Sequence, residues 1–164
     1  MKTILTLDKK NYTENMPVIE KYAVRALIKK DGLLAMQRSR DGEYKIPGGG
    51  SEEGETLIET LIREVREETG LIVIPETIEE IGEVIEFRED IFETGKKYVA
   101  HSYHYTCEVK EETVELCLTE SEKQKGYHLV WADLDTIIQC NEKLIEKEWQ
   151  KRDTKFLKWW KENR

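Results

Sequence analysis

A chain of 164 residues with 38% hydrophobic content carries enough apolar material for one core, and its 37% charged content gives a well-solvated surface. The formal net charge of −8 argues against broad binding to nucleic acid or to a membrane face, because phosphate groups repel an acidic surface. No apolar run approaches the roughly 20 residues of a membrane span, and Met1–Asp8 has neither a long apolar stretch nor a small-residue cleavage site, so no signal peptide is expected.

In chain order, Tyr22 to Ile28 alternates apolar and polar residues and predicts a strand. Lys30-Asp31-Gly32 predicts a hairpin turn, and Leu33 to Gln37 the returning strand. A polar loop over Ser39 to Glu43 leads into the extended piece Tyr44-Lys45-Ile46-Pro47 and then Gly48-Gly49-Gly50. The best-marked helix covers Leu57 to Thr69. Thr56 and Glu59 form a capping box, and Gly70 is placed to end the helix with positive φ. Strands follow at Leu71–Ile74, Ile81–Phe87, Tyr98–Val109 and Tyr127–Trp131. Asp133 opens a short helix, and residues 141–164 read as a helical tail, rebuilt at Asp153 as the cap of a second segment. Strands around one well-marked helix, with helices at the end, predict an α/β sandwich and one domain over 1–164.

Cys107, Cys117 and Cys140 are odd in number and have no metal-ligand spacing, which fits reduced thiols in a soluble cytoplasmic protein. His101 and His104 lie three apart on one strand and so face opposite sides, which argues against a shared metal. Trp149, Phe156, Trp159 and Trp160 form an apolar stripe that docks on the domain or meets a second copy, so the chain is read as a monomer or a homodimer.

The chemistry concentrates between Gly48 and Leu71. On a wheel of roughly 100° per residue, Glu64, Glu67 and Glu68 fall within an arc of roughly 100°. Like charges at this spacing repel, and near Gly70 they meet the negative end of the helix dipole. With 34 acidic residues in the chain, a solvated acidic face would explain them on acidity alone. A hard divalent cation, Mg²⁺ or Mn²⁺, would remove both penalties and could bridge the helix to a diphosphate.

The full spacing distinguishes the two readings. Gly49, Glu55, Arg63-Glu64-Val65, Glu67-Glu68 and Gly70-Leu71 stand at the nine specified positions of G-x5-E-x7-R-E-U-x-E-E-x-G-U, with U apolar, over residues 49–71. This resembles the Nudix box, and Tyr44-Lys45-Ile46-Pro47-Gly48-Gly49 resembles the family's lead-in. The chain is identified as a member of the Nudix family, MutT-type hydrolases included. The resemblance implies an α/β/α sandwich with a mixed sheet and Mg²⁺-dependent hydrolysis of a diphosphate bond in a small nucleotide-like substrate, a nucleoside triphosphate or nucleotide sugar. It implies Glu64, Glu67, Glu68 and the Gly48 carbonyl as metal ligands, with Glu64 or Glu67 also acting on the attacking water. Gly49, Glu55, Arg63 and Gly70 would be structural. Glu120 and Glu122 are candidates for a carboxylate outside the box, and Arg25 and Arg38 for phosphate contacts. The subfamily marks of ADP-ribose and dinucleoside polyphosphate hydrolases are absent, since Phe87 and Glu89 stand at their positions. The alternative is a nucleotide-binding sensor without turnover.

Overall fold

The computed structural model describes Met1–Arg164. Its strands are β1 (Thr3–Asp8), β2 (Val18–Lys30), β3 (Leu33–Arg38), β4 (Tyr44–Lys45), β5 (Leu71–Val73), β6 (Glu79–Glu89), β7 (Lys97–Cys107), β8 (Val109–Thr113) and β9 (His128–Ala132). Its helices are α1 (Leu57–Thr69), α2 (Glu120–Gln124), α3 (Leu134–Leu144) and α4 (Glu148–Asn163). Seven strands form one mixed sheet in the order β1-β6-β7-β2-β3-β4, with β9 also on β3. The β1–β6 and β2–β7 pairs are parallel and the others antiparallel. A separate antiparallel pair joins β5 to β8.

The period of two in β2 builds both cores. Val24, Ala26 and Ile28 pack with Leu61 and Val65 of α1, whereas Leu27 packs with Ile137 of α3 and Phe156 and Leu157 of α4. The sheet therefore lies between α1 on one face and α3 and α4 on the other, the expected α/β/α arrangement. The expected hairpin turn has Asp31 and Gly32 at φ 52° and 77°, the positive pair that a two-residue turn requires.

Three expectations are corrected. Strand β1 was not anticipated; it is a short edge strand whose Ile4 packs where a Cβ on Gly82 would lie 2.4 Å away. The strand expected over Tyr98–Val109 divides at Glu108, whose carbonyl accepts from the Ile74 N–H at 2.9 Å. The helical tail breaks at residues 145–147 rather than at Asp153, because the Gln150 side chain accepts from the Glu146 and Lys147 N–H groups, both at 2.8 Å. Asp153 lies inside α4 and is fully buried. No helix is long and apolar enough to cross a membrane.

Candidate active site

The site begins with the start and stop signals of α1. Thr56 accepts from the Glu59 N–H at 3.1 Å, Glu59 returns the bond to the Thr56 N–H at 2.9 Å, and Gly70 closes the helix at φ 73°. This registers Glu64 one turn before Glu67 and Glu68.

The glycine segment before the helix is laid along β2. Ala26 N–H donates to Pro47, Val24 N–H to Gly49 and Ser51 N–H to Tyr22, while the Gly48 carbonyl takes no part in that ladder. Gly48 has φ 145°, and a Cβ there would lie 1.9 Å from the Val24 carbonyl oxygen, so only glycine fits. A Cβ on Gly49 would lie 2.6 Å from the Glu64 carboxyl carbon. The loop thus sits directly against the helix carboxylates.

Arg63 ties these parts together. Its Nε and Nη2 donate to the two Glu55 oxygens at 2.6 and 2.8 Å, its Nη1 to Glu64 at 2.8 Å and Glu67 at 3.2 Å, and its Nη2 also to the Gly50 carbonyl at 3.2 Å. The guanidinium holds the Glu55 carboxyl well below the usual range, at about 2. Glu68 is buried and accepts from the Gly48 N–H at 3.0 Å, with Lys45 Nζ at 3.8 Å. Burial outweighs these partners and pushes its carboxyl up to about 7. Burial also raises Glu64, against the pull of Arg63.

Glu64, Glu68, Gly48 and Gly49 line a cavity of about 410 Å³. Four cations, Arg25, Lys45, Lys125 and Arg152, share its walls, a local excess of positive charge in an acidic protein. Arg25 is 7% exposed, and its Nε and Nη1 have no hydrogen-bond partner. A larger cavity of about 540 Å³ contains none of the box carboxylates and is lined in part by Leu27, Cys107 and Trp160.

The other expected residues scatter. Glu67 lies on the flank of α1 beside Arg63, Arg66 and Cys117, outside the 410 Å³ cavity. The three helix carboxylates consequently form no converged metal-holding cluster: Glu64 and Glu67 share Arg63, whereas Glu68 turns inward to Gly48 and Lys45. Glu122 lines the cavity, but its carboxylate accepts from the Thr119 N–H at 2.9 Å. Glu120 is exposed and pairs with Lys123 at 3.5 Å, away from the cavity. Arg38 donates to the Gly42 carbonyl at 3.1 Å and lies over the Tyr44 ring, so it does not line the cavity either. The two histidines do face opposite ways. His101 is held between Glu83 and Glu20, whereas His104 is buried against Phe156 with ring centroids 3.7 Å apart.

Sequence reasoning missed the contribution of α4. Asp153 Oδ2 accepts from the Ile46 N–H at 3.2 Å, and its Oδ1 takes Arg152 Nε and Nη2 at 2.9 and 2.8 Å. Arg152 also lies 3.7 Å from Glu86. The clue was the spacing: Arg152 and Asp153 precede the buried Phe156 and Leu157 by one helical turn and so share their inward face.

The NUDIX domain profile matches residues 20–160. An uncharacterised Nudix hydrolase of Bacillus subtilis, YvcI, is 46% identical over 44 residues, 27% of this chain and 28% of that one. An ADP-ribose pyrophosphatase of Methanocaldococcus jannaschii is 41% identical over 54 residues, 30% of this chain and 32% of that one. The matched stretches therefore span about a third of these relatives' lengths or less. Among solved structures, a NUDIX hydrolase from Nitrosomonas europaea superposes with a TM-score of 0.57 at 21% identity, covering 76% of this chain and 79% of that one. A MutT NUDIX hydrolase from Burkholderia pseudomallei gives 0.50 at 21% identity, covering 71% and 85%. At that identity the likeness is one of fold.

Proposed function

On the premise that the chain belongs to the Nudix family, we propose that it hydrolyses a diphosphate bond in a nucleotide-like substrate, using Mg²⁺ or Mn²⁺. The observation that carries this reading is the cavity in which Glu64 and Glu68 face Arg25, a buried guanidinium with two unpartnered nitrogens. An unpaired buried cation is costly, and an anionic ligand is its natural counterpart.

The donor set fits a hard divalent cation. Glu64 and Glu68 are carboxylates whose burial disfavours their charge, and together with Glu67 and the Gly48 carbonyl they offer only oxygen. When bound, the cation neutralises diphosphate charge and makes a water more acidic. The chain's own residues do the rest. Arg25 Nε and Nη1 donate to non-bridging phosphate oxygens, and Lys45 adds positive charge beside Glu68. Glu64, beneath Gly49 and lining the cavity, accepts a proton from the attacking water. Glu67 keeps Arg63 in place from the flank. Glu122 is the stronger candidate for a further carboxylate, since it lines the cavity and Glu120 does not. Cleavage yields a phosphomonoester and a second phosphate-containing fragment. All three cysteines are free, which supports a reducing, cytoplasmic setting.

The test is a panel of nucleoside triphosphates, nucleotide sugars, dinucleoside polyphosphates and ADP-ribose with Mg²⁺, following released phosphate and diphosphate. Turnover is expected to fall on the order of 100-fold or more in Glu64→Gln and to vanish in chelator. Absence of turnover on every member, with ligand-dependent thermal stabilisation in its place, would favour a nucleotide sensor.

A further inference from the structure

The four tryptophans do not share one role. Trp131 packs against the core beneath α1, and Trp159 and Trp160 against the core beneath α3 and α4. Trp149 packs against neither. It sits half-buried in the first turn of α4, where it lines the same cavity as Glu64, Glu68 and Arg25. No aromatic ring stacks on it and no cation lies over it. The cavity's other aromatic, Tyr127, is buried, with Lys45 Nζ 5.6 Å from its ring centroid. Trp149 thus offers an unclaimed π face in a cavity whose other side chains are charged or polar.

We propose that Trp149 is a recognition residue for the substrate's base, stacking on a purine or pyrimidine ring while Arg25 takes the phosphates. This makes Trp149 the residue through which the site tells a nucleotide from a diphosphate that lacks an aromatic ring. The inference rests on the hydrolase reading for the placement of the phosphates. The physical basis is general. Tryptophan pairs a large apolar ring with a π system, and base stacking on such a ring contributes without requiring one particular base. Arg152 on the same helix, held by Asp153 and Glu86, fixes the orientation of this turn of α4.

The test separates base from phosphate. Binding of guanosine 5′-(α,β-methylene)triphosphate and of inorganic triphosphate, both with Mg²⁺, is measured by calorimetry for wild type, Trp149→Ala and Trp149→Phe. Trp149→Ala is expected to weaken the nucleotide about 10-fold or more and to leave inorganic triphosphate within about twofold, while Trp149→Phe recovers most of the nucleotide affinity. An equal loss for both ligands, no loss for either, or no binding by the wild type overturns the proposal. Steady-state KM for GTP in the same variants isolates the two readings. Wild-type turnover with an unchanged KM in Trp149→Ala refutes stacking and leaves the hydrolase intact. Selective nucleotide binding without turnover on the whole substrate panel refutes the hydrolase and leaves stacking intact.

Discussion

On the α1 face, Glu55, Glu64 and Glu67 come from one continuous stretch and gather around a partly exposed Arg63. On the α4 face, Arg25, Glu86, His104 and the Arg152–Asp153 pair come from four elements and are all buried. The first group keeps water and several alternative partners within reach, so losing one contact is tolerated. The second has no such reserve, because a buried charge deprived of its partner cannot be rescued by solvent. The difference teaches that one wall of the cavity is locally encoded and tolerant, and the other is assembled from distant segments and depends on every partner staying in place.

The largest effect expected from this contrast is at Asp153. Asp153→Ala leaves Arg152 and the Ile46 N–H without their acceptor and is expected to cost about 3–5 kcal/mol in urea unfolding. A cost below about 1 kcal/mol would show that the buried network contributes little and would erase the distinction.

The histidines sharpen the comparison through pH. Burial, opposed in part by Asp153, lowers His104 to about 3. The unfolded chain therefore binds a proton below about 6.5 that the folded chain refuses until about 3. His104 should erode stability as pH falls through that window, by at most about 1.4 kcal/mol per pH unit. Urea midpoints between pH 4 and 7 should flatten in His104→Asn; an unchanged slope would assign the effect to other groups. His101 has the opposite sign. Burial lowers its pKa, but Glu83 and Glu20 outweigh burial and raise it. Its stabilisation is present in acid and fades as pH rises through the raised value. His101→Gln should therefore lose stability mainly at acidic pH, and a loss confined to alkaline pH would contradict the pairing.

The smallest effect belongs to the local wall. Thr56→Ala removes one half of the capping box and is expected to cost about 1 kcal/mol, read by urea denaturation, with turnover nearly unchanged. A loss as large as that of Asp153→Ala would mean that the α1 face is no more tolerant than the α4 face.

Much of the first wall was legible in the sequence. Thr56, Glu59 and Gly70 delimit α1 as expected, and the box spacing identified the family that the profile over residues 20–160 shows. Arg25 was legible as a candidate but not as a buried, unpartnered one. Arg38, Glu120 and Glu67 could not be sorted from it by spacing, since spacing does not reveal which side of a cavity wall a side chain meets. Asp153 was read as a helix cap because acids near a helix start usually cap, and only its burial beside Arg152 shows otherwise.

The sequence by itself determined the helix ends, the hairpin turn, the alternation of β2 and the grouping of three glutamates on one helix. Each of these depends on interactions within a few residues, or on the fixed periods of strand and helix. Tertiary structure alone decided that β2 runs parallel to β7 and sets Arg25 opposite His104, that α4 carries Trp149 and Arg152 to the cavity, and that burial raises the pKa of Glu68. Those features depend on desolvation and on contacts between segments far apart in the chain, and neither exists until the sheet and its helices have closed on one another.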